Sequence, residues 1–289
     1  MIGLLQRVAA AFSLLCLFAG ASQAGTITLP GSRLNPSDGY YTDMIGGGIG
    51  PALLMTGGGA NANVGESAND DGFSGPIPLG FVFNFFGVDY TEFWANNNGI
   101  VSFGGGVDSW LPGLSFVNVP AIAPYFSDVD TTGVGSGLMH LRNDIPDVII
   151  VTWDQVGYYN QRTDKLNSFQ LVIRGPGAII PAGEGPVGFF YKTMAWESGD
   201  APGDGGFGGV PAMIGFTDGT GNEVVFEGSM QDGVSGIVGS KDIWSDSSNT
   251  PTVFASPTAT VPEPASLFLV GTGVAFLARK RRSRQRQAL

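Results

Sequence analysis

Hydrophobic and polar residues alternate along much of the middle of the chain. Between residues 77 and 85, apolar side chains fill every second position, which places five large side chains on one face of a strand. Similar patterns predict strands at 90–94, 100–103, 148–153, 168–174, 187–194, 213–216 and 223–226. Residues 25–260 show no sustained helical stripe with caps. The pattern therefore predicts an all-β fold, either an antiparallel β-sandwich or a barrel-like sheet.

Two details of this pattern can be checked against a structure. The sequence Asn98-Gly99 lies between two predicted strands, and these residue types favour the two positive φ angles of a type I′ hairpin turn. Within 168–174 and 187–194, the alternation predicts that one set of side chains faces the core. That set is Phe169, Leu171, Ile173, Val187, Phe189 and Tyr191.

Composition divides the rest of the chain into segments. Of the 289 residues, 46 are Gly, and many of these lie in 25–69, which shows little alternation. We interpret 25–69 as a Gly-rich leader with one strand near Ile27 and Leu29. Residues 70–245 form the predicted β domain. Residues 246–260 are rich in Ser, Thr and Pro and are interpreted as a spacer.

The charge of the chain is strongly negative outside its ends. The formal net charge is −11, and residues 25–260 carry 7 Lys and Arg against 24 Asp and Glu, a net charge of −17. A surface of this sign repels phosphate backbones and anionic lipids. The sequence therefore predicts that nucleic acid is not a partner.

The N-terminus has the layout of a signal peptide. Residues 1–24 combine Arg7, an apolar run at 8–18 and small residues, which predicts cleavage between Ala24 and Gly25. A retained membrane anchor is the alternative, although the run is short for a spanning helix. Cleavage would remove Cys16, the only cysteine, so the exported chain would have neither a disulfide nor a thiol nucleophile.

The C-terminus combines three features in a fixed order. An uncharged, mostly apolar segment at 265–278 predicts one short transmembrane helix, whose basic end would stay on the cytoplasmic side. The motif before it is Val261-Pro262-Glu263-Pro264, and the basic cluster after it begins with Arg279, Lys280, Arg281 and Arg282.

This arrangement resembles the PEP-CTERM sorting signal of bacterial exported proteins, over residues 261–289. The resemblance implies that an exosortase recognises the tail in the membrane and cuts near Pro262-Glu263-Pro264. The protein would then reach the cell surface or the extracellular polysaccharide matrix. A C-terminal anchor that is never cut is the alternative.

The middle of the chain also contains an ordered set of family motifs. They are Asp71-Gly72, residues 77–86, Asn96-Asn97-Asn98-Gly99, residues 122–130, Val151-Thr152-Trp153 and Asn167-Ser168-Phe169-Gln170. In this order they resemble a NIDO domain, the extracellular module of nidogen and the tectorins, over residues 70–245. The resemblance implies a β-rich domain in cell–matrix adhesion, with matrix polysaccharide or surface proteins as partners and no known catalytic residues.

Catalytic motifs are absent from the sequence. His140 is the only histidine, and the chain contains no G-x-S-x-G motif, zinc-ligand pair or P-loop. We therefore predict that the protein is not an enzyme. A pair of carboxylates acting on sugars is the remaining enzymatic alternative.

Residues 127–133, Ser-Asp-Val-Asp-Thr-Thr-Gly, contain the best candidate metal site. Asp128 and Asp130 at positions i and i+2 could direct two carboxylates at one Ca²⁺ ion, while Gly133 permits a sharp turn. Alternatively, both carboxylates cap backbone N–H groups at a strand end. Asp71, Asp200 and Asp204 flank glycines and are predicted to be turn residues. No cofactor other than Ca²⁺ is predicted.

Aromatic residues suggest a second kind of site. Tyr158 and Tyr159 precede a polar loop, so we predict that they are exposed and bind a ligand. Trp94, Trp110, Trp153 and Trp196 could also stack on sugar rings, although packing in the core is the alternative for each aromatic residue. A carbohydrate-binding or Ca²⁺-dependent ligand-binding module of the exopolysaccharide matrix is therefore an alternative function.

Overall fold

The computed structural model describes residues 26–114 and 117–245. The predicted signal peptide with its Ala24/Gly25 cleavage site, the spacer at 246–260 and the sorting signal at 261–289 lie outside these residues. None of the helices in the described part of the chain has the length and apolar character required to cross a membrane.

The first sheet contains nine strands. The spatial order is β1-β14-β13-β8-β7-β6-β4-β3, and β5 pairs with β6. The strands are β1 (Thr26–Leu29), β3 (Gly57–Gly58), β4 (Gly72–Phe73), β5 (Ile77–Phe85), β6 (Val88–Asn96), β7 (Ile100–Ser102), β8 (Ala121–Phe126), β13 (Met213–Thr217) and β14 (Glu223–Phe226).

The second sheet contains six strands, in the spatial order β2-β15-β12-β11-β10-β9. Two short α-helices and the 3₁₀ turns Gly31–Arg33 and Pro202–Asp204 complete the regular structure of the described residues. The strands are β2 (Asn35–Pro36), β9 (Met139–Arg142), β10 (Val148–Tyr158), β11 (Arg162–Arg174), β12 (Val187–Thr193) and β15 (Lys241–Trp244), and the helices are α1 (Tyr41–Ile45) and α2 (Val234–Val238).

The two sheets pack face to face, which selects the sandwich from the two predicted arrangements. Phe216 of β13 stacks on Phe189 of β12 with ring centroids 5.3 Å apart, and Tyr125 of β8 lies 5.5 Å from Phe169 of β11. All six side chains predicted to face inward on β11 and β12 are buried in this shared core. The prediction of an antiparallel fold needs one correction, because β1 pairs with β14 in parallel.

The predicted hairpin exists, but its turn type is different. β6 pairs with β7 and Asn96 lies opposite Ile100, so three residues form the loop. Gly99 has a φ of 80°, whereas Asn98 is not among the residues with positive φ, so the turn is not type I′. Gly99 also lies so close to the next strand that a Cβ atom would collide with the carbonyl oxygen of Tyr125.

Part of the predicted leader covers the outer face of the second sheet. The strand expected near Ile27 and Leu29 is present as β1. Tyr41 of α1 packs against Phe190 and Trp244, with ring centroids 5.6 and 6.0 Å apart. Both faces of the second sheet are therefore covered, which explains why nearly every residue at the centre of β11 is buried.

Candidate functional site

Several polar segments meet at one edge of the first sheet. Asp70 and Asp71 immediately precede β4, Asn97 and Asn98 follow β6, and residues 127–131 follow β8. β4 is antiparallel to β6, β6 to β7, and β7 to β8. The start of β4 and the ends of β6 and β8 consequently lie on the same edge.

Three carboxylates form the centre of this edge. Asp70, Asp71 and Asp128 each place one carboxylate oxygen within 4.8 Å of the other two. Consecutive side chains of a regular strand point to opposite faces. The φ of Asp71 is 60°, which breaks the extended backbone and lets two consecutive carboxylates converge.

Asparagine side chains hold the carboxylates in place. Asn98 Nδ2 donates to Asp71 Oδ1 over 2.8 Å, and Asn98 Oδ1 accepts from the Val129 backbone N–H over 2.8 Å. Asn61 Nδ2 donates to Asp71 Oδ2 over 3.2 Å, and Asn97 Nδ2 donates to the carbonyl oxygen of Val129. These amides connect the segment that carries Asp71 to the segment that carries Asp128.

Asp128 is the most unusual member of the group. Its side chain is only 4% exposed, and among the described residues its Oδ1 has no hydrogen-bond partner. Burial, followed by the charges of Asp70 and Asp71, raises the pKa of Asp128 to about 8. Burial and the charge of Asp130 raise the pKa of Asp70 to about 7. The charges that act on these two groups all come from other carboxylates.

Asp128 and Asp130, which the sequence analysis paired, have different partners in the structure. Asp130 Oδ1 accepts hydrogen bonds from the backbone N–H and the hydroxyl of Thr132, and Asp130 Oδ2 accepts one from the Gln161 N–H over 2.7 Å. Oδ1 of Asp130 therefore caps a local N–H group, as the alternative interpretation proposed, whereas Oδ2 binds an N–H group 31 positions away. The carboxylate of Asp128 faces Asp70 and Asp71 instead.

Asp71 and Asp128 open into a cavity of about 320 Å³, which we name the acidic cleft. Trp110 and Tyr159, which are 46% and 43% exposed, contribute aromatic surface to it. A second cavity of about 290 Å³ shares Asn61 and Tyr159 with the cleft and includes Asp70 and Asp130. The acidic cleft is lined by Asn61, Asp71, Trp110, Asp128, Tyr159 and Asp200.

The predicted tyrosine pair is divided between the core and the cleft. Tyr159 is exposed, as expected, but Tyr158 is completely buried, so the prediction of its exposure is wrong. Its ring packs 5.6 Å from that of Trp196, and its hydroxyl donates to Asp164 Oδ1 over 2.8 Å. Trp153 and Trp196 are also fully buried, which supports the core-packing alternative for both.

Sequence reasoning missed part of this site. Asp70 was not singled out, Asp71 was interpreted as a turn residue within a family motif, and Asp200 was interpreted only as a turn residue. Trp110 was one of several aromatic candidates, and nothing in its local sequence sets it apart. The sorting residues Val261, Pro262, Glu263, Pro264, Arg279, Lys280, Arg281 and Arg282 lie outside the described residues.

Comparison with sequence families identifies two segments of the chain. The family described as NIDO related matches residues 54–257. The PEP-CTERM protein-sorting motif matches residues 260–282. Both resemblances inferred from the sequence are thereby confirmed.

Curated relatives support the first match. Alpha-tectorin of Mus musculus is 31% identical over 183 residues, and alpha-tectorin of Homo sapiens is 30% identical over 184; each alignment covers 52% of this chain. Nidogen of Drosophila melanogaster is 25% identical over 173 residues, 50% of this chain. The aligned region represents 8% of each tectorin and 12% of nidogen. No solved structure matches the chain.

Proposed function

Because the chain belongs to the NIDO-related family and ends in a PEP-CTERM sorting motif, we propose that it mediates cell–matrix adhesion outside a bacterial cell. An exosortase would recognise the C-terminal motif, and the β-sandwich would bind matrix polysaccharide or surface proteins. The transmembrane segment would hold the protein in the membrane before processing.

One observation carries this proposal: the two family matches lie next to each other in a single chain. Residues 54–257 match an extracellular type of domain, and residues 260–282 match an export-related sorting motif. The acidic composition between the ends of the chain agrees with a location where nucleic acid and anionic lipid are not targets.

The sorting part of the proposal is tested by intact-mass measurement of the protein recovered separately from host membranes and extracellular matrix. We expect a matrix species that begins at Gly25 and ends near residues 262–264. Replacing Arg279, Lys280, Arg281 and Arg282 with Gln should reduce this species. A protein found only in membranes and still containing residues 279–289 would contradict exosortase processing.

The adhesion part requires a separate binding assay. The full chain should be retained by extracted matrix polysaccharide or by surface proteins more strongly than an acidic β-protein of matched charge. Equal retention of the two proteins, with and without Ca²⁺, would contradict adhesion. This outcome is independent of where the chain is processed.

We also propose that the domain acts by binding rather than by catalysis. Nδ1 of His140, the single histidine, forms a hydrogen bond of 3.0 Å with the Gly50 carbonyl oxygen. Turnover of matrix polysaccharide that stops when one carboxylate of the acidic cleft is replaced would overturn this part of the proposal.

The acidic cleft favours a second candidate function, carbohydrate binding. Its half-exposed Trp110 and Tyr159 combine aromatic faces with nearby hydrogen-bonding groups, as sugar recognition requires. On a glycan array, Trp110→Ala and Tyr159→Ala should lose binding, whereas Ile179→Ala, on the β11–β12 loop and 91% exposed, should retain it. Binding that all three variants retain would refute the cleft as the carbohydrate site.

A further inference from the structure

We propose that Asp70, Asp71 and Asp128 together bind one Ca²⁺ ion at the acidic cleft. This site does not depend on adhesion or on sorting, since it is argued only from the geometry of the sandwich edge. The proposed site differs from the pair suggested by the sequence. It contains Asp70 and Asp71, more than 50 positions earlier in the chain, and does not include Asp130.

The spacing of the three carboxylates suits a cation of this size. Ca²⁺ binds oxygen ligands at 2.3–2.6 Å, so two oxygens on one ion lie at most about 5 Å apart. One oxygen from each of Asp70, Asp71 and Asp128 satisfies this limit, because all three lie within 4.8 Å of one another. One ion could therefore contact the three side chains without a rearrangement of the backbone.

The state of Asp128 provides an independent reason to expect a ligand. Buried polar atoms are nearly always paired, and an unpaired buried charge is costly. Asp128 is 4% exposed, and its Oδ1 is buried without a hydrogen-bond partner in the described part of the chain, as is Asp70 Oδ1. The two unpartnered oxygens belong to the same three-carboxylate group.

Nearby basic side chains do not provide the missing positive charge. Within residues 26–114 and 117–245, the four ion pairs of the structure involve Asp144, Asp164, Glu184 and Asp43. None of the three clustered carboxylates takes part in them. A bound cation would therefore supply a charge that the surrounding protein does not.

The environment favours Ca²⁺ over Mg²⁺. Ca²⁺ accepts six to eight oxygen ligands in irregular geometry, whereas Mg²⁺ requires a near-ideal octahedron and retains several waters. The three carboxylates come from two separate segments, and Asp71 and Asp128 line the open cleft. Water or an oxygen of a bound ligand could complete the coordination from the cleft side.

Calorimetric titration of the detergent-solubilised full chain with CaCl₂, after treatment with a chelator, tests the site. Extracellular Ca²⁺ modules bind with dissociation constants of about 10⁻⁴–10⁻³ M, so the titration should extend to about 10 mM. Asp128→Asn and Asp70→Asn should each weaken binding at least about tenfold, because each removes a charged ligand. Asp130→Asn and the exposed Asp204→Asn are controls that should remain within about threefold of the unchanged chain.

Thermal unfolding separates loss of binding from loss of folding. In chelator, Asp128→Asn should unfold at the same temperature as the unchanged chain or higher, because it removes repulsion between carboxylates. In Ca²⁺, the unchanged chain and the two controls should gain more unfolding temperature than Asp128→Asn and Asp70→Asn. The proposal is overturned if the unchanged chain shows no saturable Ca²⁺ binding, if Mg²⁺ binds as strongly, or if Asp128→Asn and Asp70→Asn retain full affinity.

Discussion

Asn98 links the two halves of the three-carboxylate group, so its replacement is a direct test of the amide network. Its side chain is 2% exposed; Nδ2 donates to Asp71 Oδ1 and Oδ1 accepts from the Val129 N–H, each over 2.8 Å. Asn98→Asp exchanges the donor NH₂ for an oxygen of similar size. Packing would be nearly unchanged, but the hydrogen bond to Asp71 would become a contact between two carboxylates.

The size of the effect follows from two contributions. A hydrogen bond to a charged group contributes about 1.5–3 kcal/mol to stability. Two like charges about 4 Å apart repel by about 4 kcal/mol at an effective dielectric constant of about 20, although uptake of a proton would limit this repulsion. We therefore expect Asn98→Asp to lower the free energy of unfolding by about 3–5 kcal/mol at pH 7.

Urea unfolding of the full chain in chelator, followed by tryptophan fluorescence, measures this loss. Asn84→Asp is the matched control, because Asn84 Nδ2 donates to Asp89 Oδ1 over 2.6 Å at an exposed position. Exposed charge pairs contribute about 1 kcal/mol or less, so the control should change stability by no more than that. Equal losses in the two variants would refute the role assigned to the buried network.

Three further predictions concern other parts of the sandwich. Arg174 is 3% exposed, and its guanidinium carbon lies 4.0 Å from the centre of the Trp244 ring, on which it stacks. Because Lys cannot stack in this way, Arg174→Lys should lower the free energy of unfolding in urea by about 2 kcal/mol. An unchanged free energy of unfolding would contradict the stacking argument. Gly99→Ala should cost at least about 3 kcal/mol in the same assay because it adds a backbone clash to a positive φ. Gly87→Ala, with a φ of 81° in open space, should cost only about 1–2 kcal/mol. Burial raises the pKa of Asp242 in the folded state. At pH values above about 4, the unfolded chain therefore loses a proton that the folded state still holds. The stability of the fold consequently falls as the pH rises above about 4. Asp242→Asn should therefore raise the unfolding temperature more at pH 7 than at pH 4, and an equal rise at both would contradict this assignment.

The strands most accessible to sequence reasoning are those with alternating hydrophobic and polar positions. The 77–85 pattern coincides with β5, and the predicted inward set on β11 and β12 is buried. The hydrophobic pattern does not predict β8, most of which the sequence analysis named only as part of a family motif. All six residues of β8 are buried, so its sequence shows no alternation of hydrophobic and polar positions. A second hydrophobic cluster, which includes Leu114 and Val117, covers the outer face of β8. This cover depends on tertiary packing and is not visible in the local sequence.

The Asn-rich turn shows why local signals gave only part of the site. Asn98-Gly99 correctly indicated a hairpin, since Gly99 has the required positive φ. The side chains of Asn97 and Asn98 are at most 2% exposed, and their amides bond to Val129 and Asp71 in other segments. Turn propensity predicts the conformation of the turn. The hydrogen-bond partners of the two amides depend instead on the pairing of β4, β6, β7 and β8.

The same pairing explains why the sequence indicates Asp128 as a metal candidate but pairs it with Asp130. Positions i and i+2 are close in any conformation, so sequence spacing selected Asp130, whose oxygens instead cap Thr132 and Gln161. Asp70 and Asp71 reach Asp128 only after the sheet has formed, because the antiparallel strand order brings their loops to one edge. A ligand that requires all three carboxylates would then bind the folded state alone and would stabilise it by about 2.7 kcal/mol at a concentration 100 times its dissociation constant. The carboxylate repulsion that disfavours the unliganded fold would thus make the stability of the domain depend on the cation content of its surroundings.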